Sequence, residues 1–158
     1  MESWFVEIPG RERLSLRHLV LDLNGTIALD GELLPGVAER VAVLRDQMAV
    51  YLLTADTHGR GAITAGRLGI HFHRLTAVAE AEQKADMVRQ LGAAHVVALG
   101  NGANDALMLA EAALGIAVLG REGLSMAALQ AADVVAPDVT AALDLLLNPK
   151  RLVATLRR

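Results

Sequence analysis

Short apolar runs rich in Val, Leu and Ile (HLVLDL, VYLLT, HVVALG, GIAVL, DVVAP) alternate along this chain with Ala/Leu/Glu-rich segments of helical period. No other feature restricts the fold as much. Strands that read as continuous apolar runs must be covered on both faces, and the helices between them supply the cover. The pattern predicts successive βα units around a mostly parallel central sheet, that is, an α/β Rossmann-like three-layer sandwich. The 158 residues, 53% of them hydrophobic and 21% charged, suffice for one sizeable core and not for two, so residues 1–158 are expected to form a single domain.

The elements can be placed from punctuation and period. WFVEI and RLSLRHLVLDL flank the turn PGRE, which predicts a small N-terminal hairpin whose second arm runs on into the central strand, His18 to Leu23. Pro35 marks a helix start ahead of VAERVAVLRDQM, and the strand VYLLT follows. Helices are expected near Arg60 to Leu68, Glu82 to Leu91, Asn104 to Ala113, Gly123 to Ala131 and Val139 to Leu147, with the strands IHFH, HVVALG, GIAVL and DVVAP between them. Pro149 closes the pattern.

Several function classes drop out early. A net charge of −3 gives no general attraction to nucleic acid, and the basic tail KRLVATLRR reads as a terminal helix with a solvated face. With no cysteine there is no disulfide or thiol chemistry. The start MESWFVEIPGRERL lacks the basic, then apolar, pattern of a signal peptide, and no stretch reaches the roughly 18 to 20 apolar residues of a membrane span, so a cytoplasmic protein with no membrane partner is expected.

In open parallel sheets, sites form at the carboxyl ends of strands. Three strand ends here are polar: Asp22 followed by Asn24, Gly25 and Thr26; Thr54 with Asp56 just beyond; and GNGAND with Asn101, Asn104 and Asp105, while Lys84 lies early in a helix. An aspartate at such an end can attack phosphorus, Gly25 lets following amides turn toward phosphate oxygens, and a threonine and a lysine can hold the remaining oxygens. A carboxylate from another loop completes a hard-cation site for Mg²⁺. Each piece alone has an ordinary explanation in turn composition or a solvated face. The order Asp, Thr, Lys, GNGxND is what carries the signal.

With LVLDLNGTI, VYLLTAD, Lys84 and VVALGNGANDALMLAEAALGIAV, the sequence resembles the haloacid dehalogenase (HAD) superfamily of aspartate-nucleophile phosphotransferases, and within it the phosphorylation domain of P-type ATPases, over about Val20 to Val135. The resemblance implies a HAD-like fold with Asp22 as nucleophile and Asn24, Thr54 and Lys84 beside it in the catalytic set. It implies Gly25, Thr54, Ala55 and Lys84 around phosphate, and Asp22, the Asn24 carbonyl, Asn101 and Asp105 around Mg²⁺. The spacing leaves no room for an inserted cap domain; IALDGELLPG can form only a small flap.

Two positions depart from the family pattern. Most phosphatases of the superfamily carry a second aspartate where this chain has Asn24, and an amide cannot exchange the proton that such catalysis needs, a loss typically worth about 10² to 10⁴ in rate. Asn101 stands where an aspartate binds the metal directly, which removes one formal charge from the cation site. The expectation is therefore a slow Mg²⁺-dependent phosphohydrolase or phosphotransferase working on a phosphorylated small molecule or a phosphoprotein. Its rival is a catalytically impaired binding or regulatory module. A capless site also admits a homo-oligomer whose neighbour acts as lid, with Trp4 and Phe5 either exposed candidates for the contact or core packing of the hairpin. His71 and His73 are kept out of the site, His58 is placed at its rim, and Asp56 is given a helix-capping role.

Overall fold

The computed structural model describes residues 4–56 and 58–158. Ten strands and seven α-helices follow one another along it, and from the fifth strand onward a helix lies between each strand and the next. The first three strands are β1 (Trp4–Val6), β2 (Leu14–Leu16) and β3 (His18–Asp22); the short β4 (Ala28–Leu29) and β5 (Glu32–Leu33) precede helix α1 (Val37–Leu44) and strand β6 (Ala49–Thr54). Helix α2 (Arg60–Leu68), strand β7 (His71–Arg74), helix α3 (Glu80–Leu91), strand β8 (Val96–Gly100) and helix α4 (Ala106–Glu111) follow. The chain closes with β9 (Leu114–Val118), α5 (Met126–Ala131), β10 (Val134–Ala136), α6 (Val139–Leu147) and α7 (Pro149–Leu156).

Six strands form the central sheet in the order β10-β9-β8-β3-β6-β7, and every pair in it is parallel. Counted along the chain this is the doubly wound order 3-2-1-4-5-6, in which the topology reverses beside the first strand. Successive side chains of a strand point to opposite faces, and the apolar runs obey this. Leu19, Leu21, Val50, Leu52, Val97 and Leu99 pack on one face under α1, α2, α6 and α7. Val20, Leu53, Val96 and Ala98 pack on the other under α3, α4 and α5. This is the expected three-layer α/β sandwich, with no cap domain among the described residues; the segment between β3 and α1 forms only the two-stranded β4–β5 flap.

The N-terminal hairpin is present as β1 paired antiparallel with β2, and its second arm leads into the central strand through the single residue Arg17. At Arg17 the chain changes partners: the Arg17 N–H donates to the His95 carbonyl at 2.8 Å and its carbonyl accepts from Ala49 at 2.9 Å, which hands the chain to the main sheet. One expectation is corrected, and of the two readings of Trp4 the core-packing one holds. Pro149 does not end the helical pattern; it opens α7 at the first helical position, where its missing N–H costs nothing, and Leu152 and Leu156 dock that helix on the core. Trp4 is buried, its Nε1–H donating to the Leu146 carbonyl at 2.7 Å, so it cements the hairpin to the end of α6 and is no exposed contact. Phe5 is exposed, under the Arg13 guanidinium at 3.8 Å from the ring centroid.

Leu21, fully buried on the central strand, tests the packing account. Leu21→Ala is expected to cost about 2 to 5 kcal/mol in urea denaturation, while Val43→Ala on the exposed face of α1 should change stability by less than about 0.5 kcal/mol.

Candidate active site

The carboxyl ends of β3, β6 and β8 open into a cavity of about 530 Å³ whose walls include Asp22, Asn24, Thr54, Ala55 and Asn101. Lys84 is buried behind Asp22. From the middle of α3 its Nζ donates to Asp22 Oδ1 at 2.9 Å and to Asp105 Oδ1 at 2.7 Å, and it is 1% exposed. Asp105 is sealed completely; its Oδ2 accepts the backbone N–H groups of Asn101 and Gly102, both at 3.0 Å. That approach needs Gly100, because a Cβ there would strike the Asp105 carboxylate. Thr26 Oγ1, also buried, lies 3.3 Å from both Asp22 Oδ2 and Asn101 Oδ1, joining the first loop to the third. Thr54 Oγ1 accepts the Asp56 N–H at 3.3 Å.

Burial and the neighbouring charge of Asp105 push the Asp22 carboxyl up to about 7, against the pull of Lys84. Burial works against the Lys84 ammonium as well, yet the charges of Asp22 and Asp105 outweigh it and hold its pKa above the ordinary lysine value. Two carboxylates and one ammonium in a dry pocket are thus mutually dependent.

Of the residues proposed from sequence, Asp22, Thr54, Lys84, Asn101 and Asp105 converge here, with Ala55 on the wall and Asn24 exposed at the mouth. Gly25 is different. Its φ of 78° suits glycine, but its N–H is taken by the Ala28 carbonyl at 2.8 Å and that of Thr26 by the Leu23 carbonyl at 3.3 Å, so the amides expected to face phosphate are spent within the loop. Asp56 accepts the Ala62 N–H in the first turn of α2 at 3.3 Å, as a helix cap does, and His58 lines the cavity. His71 and His73 lie on one face of β7 away from the cavity, His71 stacked on Tyr51 at 4.8 Å between ring centroids.

Three wall residues, Arg60, Glu80 and Glu122, went unnoticed in the sequence reading. Glu122 follows β9, and the strand-end rule that selected the other loops would have selected it too. The donor set around Asp22 consists of oxygens: two carboxylates, the Asn101 amide and the Asn24 main chain. It fits a hard divalent cation in kind. The fit is low in charge, for no three His, Cys, Asp or Glu side chains gather into a metal-binding group among the described residues.

The structure superposes on 3-deoxy-D-manno-octulosonate 8-phosphate phosphatase from Moraxella catarrhalis, crystallised with a magnesium ion, phosphate and KDO, with a TM-score of 0.66 at 17% identity, covering 90% of this chain and 94% of that one. The structure has the α/β fold of the phosphatases and hydrolases of the haloacid dehalogenase (HAD) superfamily. Within it the sequence is similar to the cation-transporting P-type ATPases: it is 43% identical over 114 residues to a probable cation-transporting ATPase G of Mycobacterium tuberculosis, a match covering 71% of this chain and 14% of the transporter. An uncharacterised protein of Methanocaldococcus jannaschii is 50% identical over 62 residues, covering 39% of this chain and 67% of that protein. No family model matches.

The Asp22 carboxyl gives a pH signature. Folded, it holds its proton up to about 7; in an unfolded chain an aspartate releases it near 3.9. The stability it contributes is therefore complete below about pH 4 and lost as pH rises through about 7. Chemical denaturation of metal-free protein should show wild type losing ~2 to 4 kcal/mol relative to Asp22→Asn across that interval.

Proposed function

We propose that the protein is a Mg²⁺-dependent phosphohydrolase or phosphotransferase that works through an aspartyl phosphate on Asp22, and that residues 1–158 form one catalytic unit. The observation that carries this reading is the Lys84 bridge: one buried ammonium within 2.9 Å of a strand-end aspartate that lines an open polar cavity and 2.7 Å of a second carboxylate. Such an arrangement is costly for stability alone, because buried ion pairs seldom repay their desolvation. It suits a site that must accept a dianionic phosphoryl group.

In this scheme the Asp22 carboxylate attacks phosphorus, the bond from phosphorus to the leaving oxygen breaks, and the acyl phosphate forms. Lys84 and the Thr54 hydroxyl hold the peripheral oxygens and offset their charge. Bound Mg²⁺, held by Asp22, the Asn24 carbonyl, Asn101 and Asp105, would supply further charge neutralisation. Asn24 can donate a hydrogen bond to the departing group but no proton, so hydrolysis of the adduct is slower than with an aspartate at that position. The open cavity suits a phosphorylated small molecule or a phosphoprotein presented at the surface, and a second copy of the chain would serve as lid. No helix among the described residues is long and apolar enough to cross a membrane, and the matched stretch is 14% of the transporter, so only the phosphorylation chemistry enters this proposal.

Intact-protein mass spectrometry after exposure to acetyl phosphate and Mg²⁺ tests the proposal. Wild type should hold an adduct on Asp22, Asp22→Asn should hold none, and Asn24→Asp should lose its adduct about 10²-fold faster or more. No adduct and no turnover in any of the three folded proteins would favour a binding or regulatory module.

The amide at position 101 is expected to weaken the cation. Titration calorimetry should find Mg²⁺ bound at least about tenfold more tightly by Asn101→Asp than by wild type, since the substitution restores a formal charge among hard oxygen donors.

A further inference from the structure

The missing proton carrier at position 24 directs attention to the other acids of the cavity. Asp22 is bound to Lys84, Asp56 accepts the Ala62 N–H, and Glu80 accepts from Asn104 Nδ2 at 3.0 Å. Glu122 lines the same cavity and makes no side-chain hydrogen bond or ion pair among the described residues. It is exposed, but it is not loosely placed. It sits in the turn Gly120 to Gly123, closed by the Gly123 N–H donating to the Gly120 carbonyl at 2.9 Å.

That turn is fastened to the loop bearing Asn101: Asn101 Nδ2 donates to the Gly123 carbonyl at 3.4 Å, and the Ser125 N–H donates to the Asn101 carbonyl at 2.9 Å. It also packs on the nucleophile loop, where a Cβ on Gly120 would lie 3.4 Å from the Gly25 carbonyl oxygen. Glu122 Oε2 and Asn101 Nδ2 crowd the same face of Gly25, and a Cβ there would collide with both. An unpartnered carboxylate is therefore held against the residue that follows Asn24, on the wall of the cavity that contains the nucleophile.

We infer that Glu122 is the general acid and base of this site, supplied from the loop after β9 in place of an acid at position 24; the inference rests on the aspartyl-phosphate reading above. As Asp22 attacks phosphorus and the ester P–O bond breaks, the Glu122 carboxyl gives its proton to the leaving oxygen. A water then attacks the aspartyl phosphate, passes its proton to the Glu122 carboxylate, and the bond from phosphorus to Asp22 breaks. Both side chains return to their starting states, and the net reaction is ester plus water to alcohol plus phosphate.

The test separates formation of the adduct from its loss. Acetyl phosphate has a leaving group that needs no proton, so Glu122→Gln should form the Asp22 adduct at the wild-type rate and lose it about 10²-fold more slowly, with Glu122→Asp recovering part of the loss. Glu122→Gln should also slow hydrolysis of an alkyl phosphate far more than that of p-nitrophenyl phosphate, a selectivity that a merely structural role would not produce. Adduct loss at the wild-type rate in Glu122→Gln would overturn the assignment while leaving Asp22 as nucleophile. So would a defect that disappears at saturating Mg²⁺, which would mean that Glu122 acts through the cation. Failure of wild type itself to form an adduct would overturn the parent reading, and this inference with it.

Discussion

The ion triad of Asp22, Lys84 and Asp105 is the constraint around which the rest is arranged. Its three charged groups come from β3, α3 and the loop after β8, and each is all but removed from water. Removing the lysine would leave two buried carboxylates facing each other, and breaking a buried pair in this way typically costs about 3 to 5 kcal/mol. The register of the sheet sets the positions. β3 pairs with β6 on one side and β8 on the other, so Asp22 ends its strand between the two neighbours whose loops bring Thr54 and the Asn101 turn. The site occupies the point at which the strand order reverses, and that point follows from a topology the apolar pattern already implies.

The sheet was legible because parallel strands buried on both faces leave uninterrupted apolar runs, and α2 and α6 fell at their expected limits, Arg60–Leu68 and Val139–Leu147. What could not be read depended on long-range partners. Trp4 is buried by a carbonyl 142 residues away, a pairing no local window contains. Pro149 is ambiguous by nature, since the residue that stops one helix is well suited to begin the next. Gly25 was assigned by its neighbours in sequence, and its amide is consumed by a turn three residues on. Lys84 shows the reverse: α3, EAEQKADMVRQL, is polar enough to be read as a surface helix, yet the order of motifs along the chain singled out its lysine, which is buried. Glu122 escaped because the short turn LGREGL carries no motif; only its place at the carboxyl edge of the sheet gives it meaning.

The flap and the mouth of the cavity follow from what the chain does between β3 and α1. Two-residue strands cannot build a cap, and Arg60 reaches across from the start of α2 to donate to the Asp30 carbonyl at the flap tip at 3.3 Å. The roof of the site is a single exposed hydrogen bond between backbone and side chain, of the kind that opens at small cost. A substrate larger than the cavity can be met at such a mouth, which is why the proposal extends from small phosphate esters to phosphate carried on another protein.

Charge explains why amides stand at positions 24 and 101. Two carboxylates against one ammonium leave the triad with a single net negative charge, and burial already pushes Asp22 up to about 7. An aspartate at either amide position would add negative charge to a pocket that resists it, raising the carboxyl pKa values further unless a cation were always bound. The amides keep the pocket stable when empty and lower the affinity for the cation that would fill it. In the proposed mechanism they leave proton transfer to a residue outside the buried triad, and a carboxylate on an exposed turn can gain and lose its proton without charging the interior. Glu122 meets that requirement, for it touches the nucleophile loop at Gly25 while remaining in contact with solvent. In the proposed mechanism the buried groups set whether a phosphoryl group can be held, and the exposed one sets how long it stays.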